Sequence, residues 1–335
     1  MTQKLEVLAV GDVVTDAFIK LANDQAAVEE NPAGPKLVMP YAAKVPFDYT
    51  QIVPAVGNAA NAAVAFSKLG LAAGLVSNVG DDSYGRQIMT VLEKAKVDTR
   101  FVHINSGKAS NFHYVLWYKE DRTILIKHED YDYHWPRFRA VDVPGWLYFS
   151  SVSSQAEDYH DQLAEWLQDH PDVKLAFQPG TFQIQAGPER LAKIYQRSEV
   201  LAVNRQEAAE ISGGDASNIN ELFDRLHGLG PKIVVISDGH AGAYASSGQA
   251  RYKMPIYPDP KQPFERTGAG DAFTSTFVAA LIKGGDIESA LYWAPINAMS
   301  VVQKVGAQAG LLDETEIDRL LRAAPENYRP ARLEP

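Results

Sequence analysis

Short runs of apolar, often β-branched residues recur along the chain, and each is followed by a stretch whose apolar positions repeat at helical spacing. The runs at residues 5–13, 74–79, 147–152, 174–177, 200–203 and 232–237 are apolar nearly throughout, without polar alternation. That pattern suits strands covered on both faces. Between them the spacing predicts helices over 58–69, 84–94, 158–169, 188–196, 219–229, 270–283 and 287–304. Strand–helix alternation over most of a chain predicts an α/β fold with a central, mostly parallel sheet flanked by helices on both sides.

Two stretches break the alternation. Residues 23–53 are rich in Pro and Ala, with short strand signals near 37–41. Residues 110–128 read SNFHYVLWYKEDRTILIKH, two β-type runs around a polar turn at 119–122, which predicts a hairpin. The two stretches together (about 20–53 and 108–130) predict a small second β-sheet acting as a lid, because long insertions in compact α/β domains often cover a site. One domain over residues 1–325 is expected, followed by a loosely packed C-terminal tail at 326–335. An exposed lid strand seeks a partner, so a homodimer through the lid is an expectation.

Composition narrows the function classes. The 335 residues carry 32 Lys and Arg against 42 Asp and Glu, a net charge of −10. That argues against nucleic-acid binding, which draws on neutralising phosphates with basic side chains. The absence of cysteine excludes disulfides, thiolate metal sites and a Cys nucleophile. The N-terminal MTQKLEVLAVGD reads as a strand and not as a signal peptide, and no apolar run approaches the ~18 residues of a membrane span. A cytoplasmic protein without a membrane partner is expected.

The segment with the clearest chemistry is Thr267-Gly268-Ala269-Gly270-Asp271 and the apolar helical run after it. Two residues without side chains let a ligand approach the backbone closely. At a helix N-terminus, unpaired N–H groups and the helix dipole attract anions. Asp271 falls in the first turn, where the dipole favours its ionised form. A carboxylate beside an anion hole suits a general base whose substrate receives an anionic group. The same residues also fit a plain Gly-rich turn with an acidic helix start.

Thr267–Asp271 resembles the C-terminal signature of the ribokinase/phosphofructokinase-B family, and other family landmarks follow in order from residue 5 to 310. Gly11-Asp12-Val13-Val14-Thr15-Asp16 ends an early strand, and Val56-Gly57-Asn58-Ala59-Ala60-Asn61 resembles the N-terminal signature. Asn204-Arg205-Gln206-Glu207 matches an Asn-x-x-Glu element. Ser237-Asp238-Gly239-His240-Ala241-Gly242 resembles a nucleotide loop, and the stretch from Asn297 to Ala307 an adenine-side helix and turn. The resemblance implies a ribokinase-like fold and ATP-dependent phosphorylation of a sugar hydroxyl, with a nucleoside or a sugar phosphate as alternative acceptor. It implies Asp271 as base with an anion hole at Gly268, Ala269 and Gly270. Asp16, Gly57, Asn58 and Asn61 would bind the acceptor. Asn204, Glu207, Ser237, Gly239, Gly242, Thr267 and Asn297 would serve the nucleotide. Mg²⁺ would be held through water near Glu207, and a monovalent cation such as K⁺ near Glu265.

The chain departs from the family pattern at Val56, where a Gly is usual, and at Glu265, where an Asp often stands. Arg205 stands where a second acid is common, and Gln178-Pro179 where Asp-Pro is frequent. A non-catalytic sugar- or nucleotide-binding regulator on the same fold is the rival from another class; the intact Gly-Ala-Gly-Asp argues against it. No Gly-x-Gly-x-x-Gly follows the first strand and no Gly-x4-Gly-Lys-Ser/Thr occurs, which argues against dinucleotide and P-loop enzymes.

Overall fold

The computed structural model describes residues 4–32, 34–119, 121–262 and 266–334. Its strands in chain order are β1 (Val7–Val10), β2 (Val14–Leu21), β3 (Ala27–Glu29), β4 (Lys36–Val38), β5 (Phe47–Val56), β6 (Ala73–Gly80), β7 (Asp98–Asn105), β8 (Phe112–Tyr118), β9 (Asp121–Leu125), β10 (Trp146–Phe149), β11 (Lys174–Phe177), β12 (Ser198–Asn204), β13 (Ile233–Ser237), β14 (Ala243–Ser246), β15 (Arg251–Met254) and β16 (Ala331–Arg332). The helices are α1 (Asn58–Lys68), α2 (Ser83–Lys94), α3 (Glu157–Asp169), α4 (Thr181–Ala186), α5 (Ala192–Arg197), α6 (Arg205–Ser212), α7 (Ile219–Gly228), α8 (Ala269–Ile282), α9 (Ile287–Val301) and α10 (Glu314–Arg322).

The main sheet runs β16-β15-β14-β13-β12-β11-β10-β1-β6-β7. From β13 to β7 every pair is parallel, and the β13-β14-β15-β16 edge is antiparallel. The parallel strands are sandwiched as their apolar runs require. One apolar core holds Phe66, Leu75, Tyr148 and Phe277 with helices α1, α8 and α9; the other, on the opposite face, holds Phe149, Phe177, Leu163 and Phe223 with α3, α5 and α7. The strand order reverses at β1, which places a crevice beyond the carboxyl ends of the neighbouring strands. Asp12, Gln178, Asn204 and Ser237 all lie at or just past such ends.

The expected lid is a separate four-stranded sheet, β5-β2-β8-β9, and the hairpin is β8–β9. Its outline differs from the expectation in two ways. The first apolar run is not one strand: the chain leaves the main sheet after Val10, turns at Gly11–Val13, and enters the lid as β2. The strand signal near 37–41 gives β3–β4, a two-stranded ribbon outside the lid sheet. The C-terminal segment is not loose. Ala331–Arg332 extends the main sheet at β15, and Tyr328 is buried against Tyr257 and Tyr292. No helix among the described residues is long and apolar enough to cross a membrane.

Candidate active site

The start of α8 is shaped by Gly268. Its φ of 80° belongs to the left-handed region, and a Cβ there would lie 2.2 Å from that of Ala307. A side chain would therefore separate the turn from the 306–307 loop packed on it. Ala269 N–H makes a long bond of 3.4 Å to the Arg266 carbonyl, and Ala272 N–H reaches Gly268. The amides of Gly268, Gly270 and Asp271 have no acceptor among the described residues. Of the three amides expected to form an anion hole, that of Ala269 is engaged within the turn, while those of Gly268 and Gly270 are open together with that of Asp271.

The Asp271 carboxylate is only 8 % exposed. Helix α1 packs beside α8 and supplies Asn58 Nδ2 to Oδ1 at 2.7 Å and Asn61 Nδ2 to Oδ2 at 2.8 Å. Gln178 Nε2, just past β11, donates to Oδ1 at 3.2 Å. Burial pushes the Asp271 carboxyl above its ordinary value; the bonds from Asn61, Asn58 and Gln178, and the Arg122 charge, pull it back. The helix dipole alone had suggested a shift toward easier ionisation, and burial outweighs it. Asn58 and Asn61, expected to bind the acceptor, present their N–H₂ groups to Asp271. Asn61 Oδ1 is in turn held by Gln308 Nε2 at 3.0 Å.

The residues expected to bind the acceptor lie where β1 hands over to the lid. Gly57, with φ 108°, caps α1 so closely that a Cβ would sit 2.7 Å from the Asp12 carbonyl. Asp16, 7 % exposed, pairs in register with His113 across β2 and β8, and His113 Nδ1 stands 3.5 Å from its Oδ1. Asp12 accepts from Tyr133 Oη at 2.7 Å and lies 3.1 Å from His128 Nδ1. A carboxylate can only accept from that nitrogen, so His128 carries its proton on Nδ1 and turns Nε2 elsewhere. Arg122 of β9 is near enough to act electrostatically on Asp271.

A cleft, the candidate donor site, runs from Ala269, Gly270 and Phe273 to Ser237, Gly239 and Gly242, with Pro295, Met299 and Val302 forming an apolar wall. Ser237, Gly239 and Gly242, expected to serve the nucleotide, line this cleft, with Arg266 and His240 joined at 2.9 Å beside it. Asn297 does not. It is fully buried, donates to Thr276 Oγ1 at 2.7 Å and accepts from Leu312 N–H at 2.9 Å, so its amide ties α9 to α8 and to the chain before α10. Thr267 sits in the turn before α8. Asn204 caps α6: its Oδ1 accepts from Glu207 N–H at 2.9 Å, while Glu207 Oε2 accepts from Asn204 N–H at 2.8 Å. Burial pushes the Glu207 carboxyl up, and the Asp271 and Glu210 charges add to that. Among the described residues no three acidic or histidine side chains cluster as metal ligands. A Mg²⁺ held chiefly by substrate phosphates and water fits that set, with Glu207 as the nearby carboxylate. Glu265, expected near a monovalent cation, lies outside the described residues.

Gln178 and Arg122 were not among the expected site residues. Gln178 had stood out as a departure from the family pattern, and Arg122 falls in the polar turn at 119–122; neither signal points to Asp271, which is 93 residues from Gln178.

Residues 53–314 match the pfkB family carbohydrate kinase model, and the chain belongs to that family. It is a carbohydrate kinase, a phosphotransferase with an alcohol acceptor. It is 30 % identical to a ribokinase of Bacillus subtilis (strain 168) over 278 residues, covering 81 % of this chain and 88 % of that one. A 5-dehydro-2-deoxygluconokinase from the same organism is 28 % identical over 285 residues, with 80 % and 86 % covered. The solved ribokinase of Arabidopsis thaliana, complexed with ribose and ATP, superposes with a TM-score of 0.77 over 96 % of this chain and 99 % of that one at 19 % identity, a likeness of fold.

Proposed function

We propose that the chain transfers the γ-phosphoryl of ATP to a hydroxyl of an unphosphorylated sugar, with Asp271 as general base. The observation that carries the reading is the juxtaposition at the start of α8: a buried carboxylate and open main-chain N–H groups meet at one end of the donor cleft. The acceptor hydroxyl gives its proton to Asp271 as its oxygen attacks. The amides of Gly268, Gly270 and Asp271 take up charge on the transferring group, so most of the catalysis is positioning and electrostatics. Mg²⁺, when bound, would neutralise phosphate charge, with Glu207 holding one of its waters. Asp16 and His113 grip the acceptor from the lid strands, and closure of the lid excludes water. A homodimer through the lid is part of this reading.

The test is Asp271→Asn, which preserves size and should fold while losing 10²- to 10⁴-fold in kcat. Retention of more than about a tenth of the activity would remove the base from the mechanism. A screen of ATP consumption against pentoses, hexoses, nucleosides and sugar phosphates identifies the acceptor.

A second reading is favoured by Arg122, whose guanidinium acts on the catalytic carboxylate from the lid. A cation there suits an acceptor with a carboxylate of its own. The relative named 5-dehydro-2-deoxygluconokinase supports including sugar acids in the screen.

A further inference from the structure

The Gln178 side chain is fixed at both ends. Its Oε1 accepts a short hydrogen bond from the Tyr148 hydroxyl, and its Nε2 donates to Asp271 Oδ1 at 3.2 Å. An amide can point either way, and here the phenol decides. A phenol whose proton is committed to Oε1 leaves only Nε2 for the carboxylate. Tyr148 is wholly buried in β10, and burial pushes its phenol far above the ordinary value, so it stays a neutral donor. The groups with charge or titratable protons that face Asp271 are Arg122 from β9, Glu207 from α6 and Tyr148 from β10. Of these only Arg122 favours the ionised base. Glu207 and burial oppose it, and the three amide donors offset part of that opposition. Asn58 and Asn61 come from a segment already expected at the site; Gln178 stands where an acidic residue is frequent in the family, and an acid there would set a second negative charge against Asp271.

We propose that Gln178, oriented by Tyr148, is a positioning residue that keeps the Asp271 base ionised to lower pH than its burial alone would allow and so sets the acid limit of the kinase. This rests on the reading of Asp271 as general base.

The experiment is the pH profile of kcat/KM for the full chain and three variants, with the most active sugar of the screen and Mg-ATP. Gln178→Met removes the donor at similar size, Gln178→Glu adds a like charge, and Tyr148→Phe frees the amide to turn. Each should move the acid limb to higher pH, by about one unit for Gln178→Met and more for Gln178→Glu. Below the wild-type limb a one-unit move is a tenfold loss, and on the alkaline plateau it is none, which a packing defect would not imitate. ATP's own ionisation is common to all the profiles and cancels. Profiles lowered by one factor at every pH, with the limb in place, would overturn the proposal. If Gln178→Met does not fold, Tyr148→Phe and Gln178→Glu decide by the same criterion. Asp271→Asn separates this from the parent reading: an active Asp271→Asn removes the base, whereas an inactive one beside unmoved limbs removes only the role of Gln178.

Discussion

Asn61 Nδ2 donates to Asp271 Oδ2 at 2.8 Å, joining the second turn of sequence in α1 to the first turn of α8 across 210 residues. Its Oδ1 is taken by Gln308, so the amide cannot flip without breaking both bonds. Replacing Asn61 by Leu keeps the branching and heavy-atom count and removes both. A hydrogen bond to a charged group contributes about 1.5–3 kcal/mol, or roughly 10- to 100-fold in rate if all of it falls on the base. Asn61→Leu should therefore lower kcat by that factor. Initial rates at saturating substrates check it, and an unchanged kcat would mean that Asp271 is held adequately by Asn58 and Gln178.

Gly268 and Gly270 are two residues apart and should respond oppositely to the same substitution. A Cβ on Gly268 strikes Ala307 at 2.2 Å, and the residue has φ 80°, so Gly268→Ala should lower the melting temperature. A Cβ on Gly270 meets nothing within 4 Å. Ala is the better helix former by roughly 0.5–1 kcal/mol, so Gly270→Ala should melt no lower than wild type. Its methyl group would project at the mouth of the donor cleft, and KM for ATP should rise. Melting curves and ATP titrations of the two variants give four readings, and loss of stability in Gly270→Ala would refute the assignment of open space there.

The outer face of the lid is a candidate interface. Ile52, Tyr114 and Leu125 are each about half exposed, at 51 %, 48 % and 51 %, and register places them in one row across β5, β2, β8 and β9 around the small Ala17. A row of large apolar side chains on water is a surface that favours a partner, and a two-fold pair would bury it against itself. Sedimentation velocity should show a dimer, and Leu125→Asp together with Tyr114→Asp should give a monomer. A wild-type protein that is monomeric at micromolar concentration would dispose of the dimer.

The elements legible in the sequence are those fixed by local pattern. Continuous apolar runs announced the parallel strands, and the glycines ahead of an apolar helix announced the start of α8. The break at Gly11–Val13 was not legible, because the apolar run of Val7–Val10 resumes at Val13 and Val14 after only Gly11 and Asp12, with nothing local to say that the chain changes sheet there. The roles of Gln178 and Tyr148 were not legible either: one follows β11, the other lies within β10, and nothing short of the fold brings them to α8. Asn297 misled for the converse reason. The resemblance placed it on the adenine side, but its amide is satisfied inside the core by Thr276 and Leu312.

Tyr328 connects the C-terminal segment to the donor cleft. Its ring meets Tyr257 edge-on with centroids 5.0 Å apart, and its hydroxyl donates to the Tyr292 carbonyl at 2.8 Å. Tyr257 lines the cleft and is itself tied to the Leu320 carbonyl at 2.9 Å, so the tail props one wall of the nucleotide site from behind. Removing a large buried aromatic costs about 3–5 kcal/mol, and Tyr328→Ala should melt well below wild type. Tyr328→Phe loses only the hydroxyl's bond, about 1 kcal/mol. If the tail supports Tyr257, Tyr328→Ala assayed well below its melting point will also show a raised KM for ATP while KM for the sugar stays put, since the acceptor side is built from α1, the lid and the 126–133 segment. A destabilised variant with both KM values unchanged would show that the segment strengthens the sheet edge through β16 and takes no part in shaping the cleft.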